Sequence, residues 1–118
     1  MKRNKVLIYA KTSYGTDPEY LFESDPDTAV LRNTSGKWYA IIMNVSPRVL
    51  GLPEGKRIDV MNVKLEPMMV GSFLKKKGFY PAYHMNKTHW ISMILDGSKI
   101  VSDTDIKDLL DISYKLTE

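Results

Sequence analysis

Residues 37–45 read Lys37-Trp38-Tyr39-Ala40-Ile41-Ile42-Met43-Asn44-Val45. A run this rich in β-branched and aromatic side chains, free of proline and glycine, predicts a strand. It is too apolar to have one wet face along its whole length, so it predicts a central strand of its sheet. Upstream, Thr28–Arg32 is a short β-rich run, and Asn33-Thr34-Ser35-Gly36 is a turn between the two. Downstream, Ser46–Lys56 holds two prolines and two glycines and predicts a loop with a short turn around Val49–Leu52. Arg57–Leu65 then alternates. Asp59, Met61, Val63 and Leu65 point one way, and Ile58, Val60, Asn62 and Lys64 the other.

Outward from these strands the pattern changes period. Pro67 suits the first turn of a helix with Glu66 at its start, running to about Lys77 and stopping at Gly78. Phe79–His84 and His89–Leu95 read as strands joined by a hairpin loop over Met85-Asn86-Lys87-Thr88. After a turn at Asp96–Lys99, Ser102 is the N-cap of a last helix, with Asp105 three residues on. Ile106, Leu109, Leu110, Ser113 and Leu116 form that helix's inner stripe. Ser113 is expected to bond back to the Leu109 carbonyl. Met61, Met68 and Met69 are expected to fill core. At the other end, residues 3–14 predict a helix stopped by Gly15, with a strand at Val6–Ala10 as the competing reading, and residues 16–27 a loop broken by Pro18 and Pro26. The order is helix, three strands, helix, two strands, helix. This is an α+β chain: a two-layer sandwich with a five-stranded antiparallel sheet and helices on one face. The other sheet face is left free to meet solvent or a partner.

The 118 residues, 43% hydrophobic and 26% charged, suit one globular domain over residues 1–118. The absence of cysteine excludes disulfides, thiolate metal sites and thiol catalysis, and fits a reducing, cytoplasmic setting. The basic start is followed only by Val6-Leu7-Ile8-Tyr9-Ala10 before Lys11, too short an apolar run for a signal peptide or a membrane span. Net charge is +3 but unevenly laid out. Residues 1–11 carry only bases, residues 17–27 only acids, and the middle of the chain is basic. Such a layout produces either a positive face that attracts anions or a set of solvated lysines.

No G-x-S-x-G, phosphate-binding glycine loop or H-E-x-x-H is present, so the reading leans away from an enzyme, with no cofactor expected. His84 and His89 flank the hairpin loop. In a symmetric register they stand opposite each other with Cβ atoms ~5 Å apart. Two imidazoles could begin a metal site, but no third ligand follows at a suitable spacing, so a polar cross-strand pair or a partner contact is expected and no metal. Asn86, Lys87 and the flanking Tyr83 and Trp90 form a tip of the kind that touches phosphate and sugar. Alternatively Tyr83 and Trp90 are a cross-strand pair that pins register. Lys75-Lys76-Lys77 reads either as a nucleic-acid signal or as cations in the last turn of a helix. Asn62 and Lys64 are expected to mark the open sheet face.

The string Pro81-x-Tyr83-His84-Met85-Asn86-Lys87-x-His89-Trp90 resembles the signature of the MmcQ/YjbR-like proteins. Val63-Lys64-Leu65 followed by Pro67, Ser113-Tyr114, Lys37-Trp38 and Asp96-Gly97 add to the likeness, which covers roughly residues 20–118. Phe79-Tyr80 departs from the glycine that the family often has nearby. The resemblance implies a fold like that of secretion chaperones and a double-wing DNA-binding arrangement. It makes Lys64, His84, Asn86, Lys87, His89 and Trp90 the candidate surface and brings no catalytic residue. Three readings stay open: nucleic-acid binding, peptide or protein binding, and a small-molecule or metal site at the histidine pair. The oligomeric state is open too.

Overall fold

In the computed structural model, which describes residues 1–118, five strands form one sheet. They are β1 (Ala29–Arg32), β2 (Trp38–Val45), β3 (Ile58–Lys64), β4 (Phe79–Pro81) and β5 (Trp90–Ile94). Their order is β1-β2-β3-β5-β4, every neighbour antiparallel. The helices are α1 (Arg3–Tyr14), α2 (Pro67–Phe73) and α3 (Asp103–Leu116), and one 3₁₀ turn covers Pro47–Leu50. The α+β order and the antiparallel sheet are those expected, and β2 lies inside the sheet between β1 and β3. No helix is long and apolar enough to cross a membrane.

Register divides the sheet into two faces. Ala40, Ile42, Met61, Val63, Ile91 and Met93 share one, and Ile41, Met43, Val60, Asn62 and Ser92 the other. The first face meets the helices. Asp59, in step with Met61, is gripped by Arg3 of α1, and Phe79, opposite Met93, touches Phe73 of α2. Val6 and Ala10 of α1 and Ile106, Leu109 and Leu110 of α3 complete one continuous core. A bulge decides where the two aromatic residues of β2 go. Leu31 pairs with Ala40 but Arg32 with Trp38, so Tyr39 is an extra residue. It turns into the helix layer, edge-on to Tyr14 and Tyr114, while Trp38 lies on the far face beside Phe22.

Three expectations fail for local reasons. The helix begun at Pro67 ends at Phe73, not near Lys77. Gly71 weakens it, and the chain tightens as Lys76 N–H donates to the Phe73 carbonyl at 2.9 Å. Lys75–Lys77 therefore lie in turns beyond the helix, where Lys76 pairs with Asp105 at 3.1 Å and covers the Phe73 ring. Met68 is 87% exposed, because a helix this short turns only Val70 fully inward. Ser113 does not bond back along its helix. Its hydroxyl donates to the Tyr39 carbonyl at 2.6 Å and accepts from Lys64 N–H at 2.9 Å, spanning two interior strands. The cap of α3 forms as read: Ser102 Oγ accepts from Asp105 N–H at 3.0 Å.

Two polar clasps tie the termini to this frame. Asp111 of α3 accepts from the Tyr9 hydroxyl at 2.9 Å and from the Tyr14 hydroxyl. Burial first, then the Asp111 carboxylate, pushes both phenols up from their ordinary value. Arg3 holds Asp59 with two parallel bonds, Nε to Oδ2 at 3.0 Å and Nη2 to Oδ1 at 2.9 Å. Desolvation pulls the Asp59 carboxyl upward, but bonds from Arg3 and Asn44 and the Arg3 charge outweigh it, leaving it below the ordinary range. A carboxyl depressed in the folded state stabilises above its unfolded value of about 4 and loses that contribution as pH falls through the lowered one. The melting temperature of Asp59→Asn should therefore fall less than that of the wild type between roughly pH 5 and pH 3.

The rim strands are short. β1 is bound along its outer side by Glu19, whose N–H and carbonyl both bond Val30, at 2.9 and 2.8 Å. On the opposite rim, Phe79 N–H of β4 turns back to the Lys76 carbonyl at 3.4 Å.

Candidate functional site

The signature segment does not form a four-residue hairpin. β4 stops at Pro81, which has no N–H to extend the ladder, and β5 starts only at Trp90. The register pairs Tyr80 with Ser92 and Pro81 with Ile91. Continued, it sets Ala82 against Trp90 and Tyr83 against His89. His84 and His89 would face each other only after a one-residue slip, which would turn every side chain of β4 to the wrong face. The cross-strand histidine pair and the Tyr83–Trp90 pair are both corrected by this register. Tyr83 packs instead on the His84 ring, with centroids 3.9 Å apart.

Residues 82–89 leave the sheet edge and cross its second face. A closed ring of hydrogen bonds holds them there. Asn62 Nδ2 donates to the Tyr83 carbonyl at 2.8 Å, Tyr83 N–H donates to Ser92 Oγ at 3.0 Å, and Ser92 Oγ donates to Asn62 Oδ1. Asn62 and Ser92 are directly paired across β3 and β5, and both are 0% exposed. The face expected to be open is thus covered at its centre, and Asn62 is an anchor rather than a mark of a wet surface. Within the loop, Lys87 Nζ donates to the Ala82 carbonyl at 2.9 Å, and Asn86 Oδ1 accepts from Thr88 N–H at 2.8 Å. Leu65 N–H donates to the His89 carbonyl at 2.8 Å, stitching the loop's exit to the end of β3.

Four of the six expected residues converge. Lys64, Asn86, His89 and Trp90 line one depression of about 390 Å³, together with Leu65, Glu66 and Leu116. Lys64 forms no ion pair. Trp90 shows only a fringe of its ring, at 9% exposure, so it is a wall of the depression and not a stacking platform. Lys87 sits on the loop above, with one of its donors spent on Ala82. His84 goes elsewhere. It adopts φ +63°, rare for a residue with a side chain, and lines a different cleft on the far side of the loop. No three metal-ligating side chains converge anywhere. Neither imidazole has a carboxylate within ion-pair reach.

The sequence reading missed the loop anchor and that second cleft. Asn62 and Ser92 carry a signal for the first, since each is a lone polar residue between apolar neighbours in its strand. The cleft combines Phe22 and Asp25 of the N-terminal loop with β2 and Tyr83, and no local pattern announces that meeting.

Comparison with known proteins agrees with the signature. The family model YjbR matches residues 12–116, reaching further toward the N-terminus than the quoted motifs. The uncharacterized protein YyaQ of Bacillus subtilis (strain 168) is 38% identical over 119 residues, covering 100% of this chain and 99% of that protein. A crystal structure of a Pseudomonas syringae protein matches with a TM-score of 0.95 at 41% identity, both chains covered in full. A solution structure from the same organism gives 0.87 at 41% identity, over 100% of this chain and 94% of that one. The Deinococcus radiodurans protein DR2400 shares the fold at 21% identity, with a TM-score of 0.73 over 98% of this chain and 77% of its own. With its family model matching residues 12–116 and a 38% identical relative aligned along its whole length, this chain belongs to the YjbR family.

Proposed function

We propose that the protein is a non-enzymatic binding module that takes the phosphate backbone of duplex DNA at the depression lined by Lys64, Asn86, His89 and Trp90. The observation that carries this reading is the meeting of an unpaired lysine, an amide and an imidazole, drawn from β3, the loop and its exit, around one hollow. These are side chains that bond phosphate oxygens, and such contacts position a protein on DNA without reading its sequence. Lys87, next to Asn86 on the same loop, adds positive charge that is not neutralised by an ion pair. Glu66 opposes it and sets the limit of the contact at the start of α2.

Fluorescence anisotropy with short labelled duplexes of two unrelated sequences tests this. Both should bind alike, with log K falling against log salt by about 0.9 per phosphate neutralised, or about 3.6 for four contacts. Lys64→Glu should weaken both duplexes equally and flatten the slope by about 1. Glu66→Gln should tighten both. Absence of binding at about 50 mM salt, or a slope indifferent to Lys64→Glu, overturns the reading. Binding of an apolar peptide with no salt dependence would point to a protein partner instead.

A further inference from the structure

On the other side of the loop lies the cleft that holds His84. Phe22, Trp38, Ile41, Met43, Tyr83 and Met85 wall an apolar compartment of about 290 Å³. Asp25, Thr28 and His84 close one end of it. There it meets a polar compartment of about 140 Å³, where the same three residues are joined by Asn44 and Arg57.

The polar end is built. Arg57 Nε donates to Asn44 Oδ1 at 2.9 Å, and its Nη2 donates to the Asn44 carbonyl at 2.5 Å. Asn44 Nδ2 in turn donates to Asp59 Oδ1 at 3.0 Å, and Asp59 is held by Arg3. One edge of the guanidinium is therefore fixed, while its other donors stay free and no carboxylate pairs with it. The Asp25 carboxylate is likewise without a cation, and the two charges do not touch each other across the compartment they share. His84 stands at the junction in its left-handed conformation, with its ring against Tyr83. Strained backbone of this kind recurs at ligand sites.

We propose that this two-part cleft binds a small zwitterion with a large apolar side chain: an aromatic or long aliphatic α-amino acid. The ligand carboxylate pairs with the free edge of Arg57 and its ammonium with Asp25. The side chain lies between Phe22, Trp38 and Met85. An anion alone would face Asp25 unpaired, and a cation alone would face Arg57. A ligand with both charges close together complements both walls, which a ligand carrying either charge alone does not. The volume stands at the lower limit of small-molecule sites, which suits a ligand of amino-acid size. Trp38 and Phe22, already edge-on to each other, offer an aromatic partner for the side chain.

The test is titration of the full chain with L-phenylalanine, followed by intrinsic tryptophan emission and by the amide signals of Thr28, Met43 and His84. Hydrocinnamate, which lacks the ammonium, and phenethylamine, which lacks the carboxylate, are the comparison ligands. L-phenylalanine should saturate and move those three signals. Each comparison ligand should bind about tenfold or more weakly, the loss expected for one charge-assisted hydrogen bond. Arg57→Ala and Asp25→Asn should each cost a similar factor; both side chains are exposed, so folding should survive, as the far-ultraviolet spectrum would verify. Failure to saturate with folded protein, equal binding of the three ligands, or indifference to both substitutions overturns the proposal.

Discussion

Replacing Ser113 with alanine should lower the free energy of unfolding by about 3 kcal/mol in a urea titration. The hydroxyl is wholly buried and serves two backbone groups, donating to the Tyr39 carbonyl and accepting from Lys64 N–H. Alanine leaves both without a partner. Each buried, unpaired group costs about 1–3 kcal/mol, while the better helix propensity of alanine returns only about 0.5 kcal/mol. In a domain whose total stability is about 5–15 kcal/mol, that loss is large. The midpoint should fall with little change in slope. Threonine, which keeps the hydroxyl, should recover part of it. A loss below about 1 kcal/mol would mean that water replaces the serine at both strands.

Gly78→Ala should be comparably damaging, for a steric reason. Gly78 has φ +88°, and an added Cβ would stand 2.6 Å from Val101 Cγ2 and 3.0 Å from Ile100 Cγ2. The left-handed backbone costs about 1–2 kcal/mol for an L-residue, and forcing a methyl into packed Val101 adds about 1–3 kcal/mol. The Gly78 carbonyl also accepts from Ile94 N–H at 3.1 Å, so relief of the clash by a backbone shift strains the β4–β5 pair. A drop in melting temperature of about 10 °C is expected. Gly36→Ala isolates the backbone part, because φ is +90° there and nothing lies within 4 Å of the added carbon. It should lose about a third as much. Equal losses at the two positions would rule out the clash.

The fold was readable where a residue's neighbours in sequence decide its conformation. The apolar run at β2, the alternation of β3, the Ser102 cap and the glycine stop after α1 all depend on local chemistry, and all hold. The candidate surface was half readable. Lys64, Asn86, His89 and Trp90 do meet. His84 was misplaced because its position rests on a register fixed by Phe79, Tyr80 and Pro81, where one residue of slip reverses the facing of a whole strand. Asn62 was misread because a polar side chain on an apolar strand signals either solvent or a buried partner. The partner, the Tyr83 backbone, lies 21 residues away and leaves no mark beside it. Arg57 was passed over because its bonds to Asn44 form only when β2 and β3 are paired.

The way the two rims are finished decides how copies of this chain can meet. Along β4, antiparallel alternation turns Phe79 and Pro81 outward. The first has already given its N–H to Lys76, and the second has none. Along β1, Val30 is occupied by Glu19. An incoming strand finds few free donors at these positions, so sheet growth from either rim is disfavoured. Side-chain surfaces are then favoured over strand addition wherever copies of the chain meet.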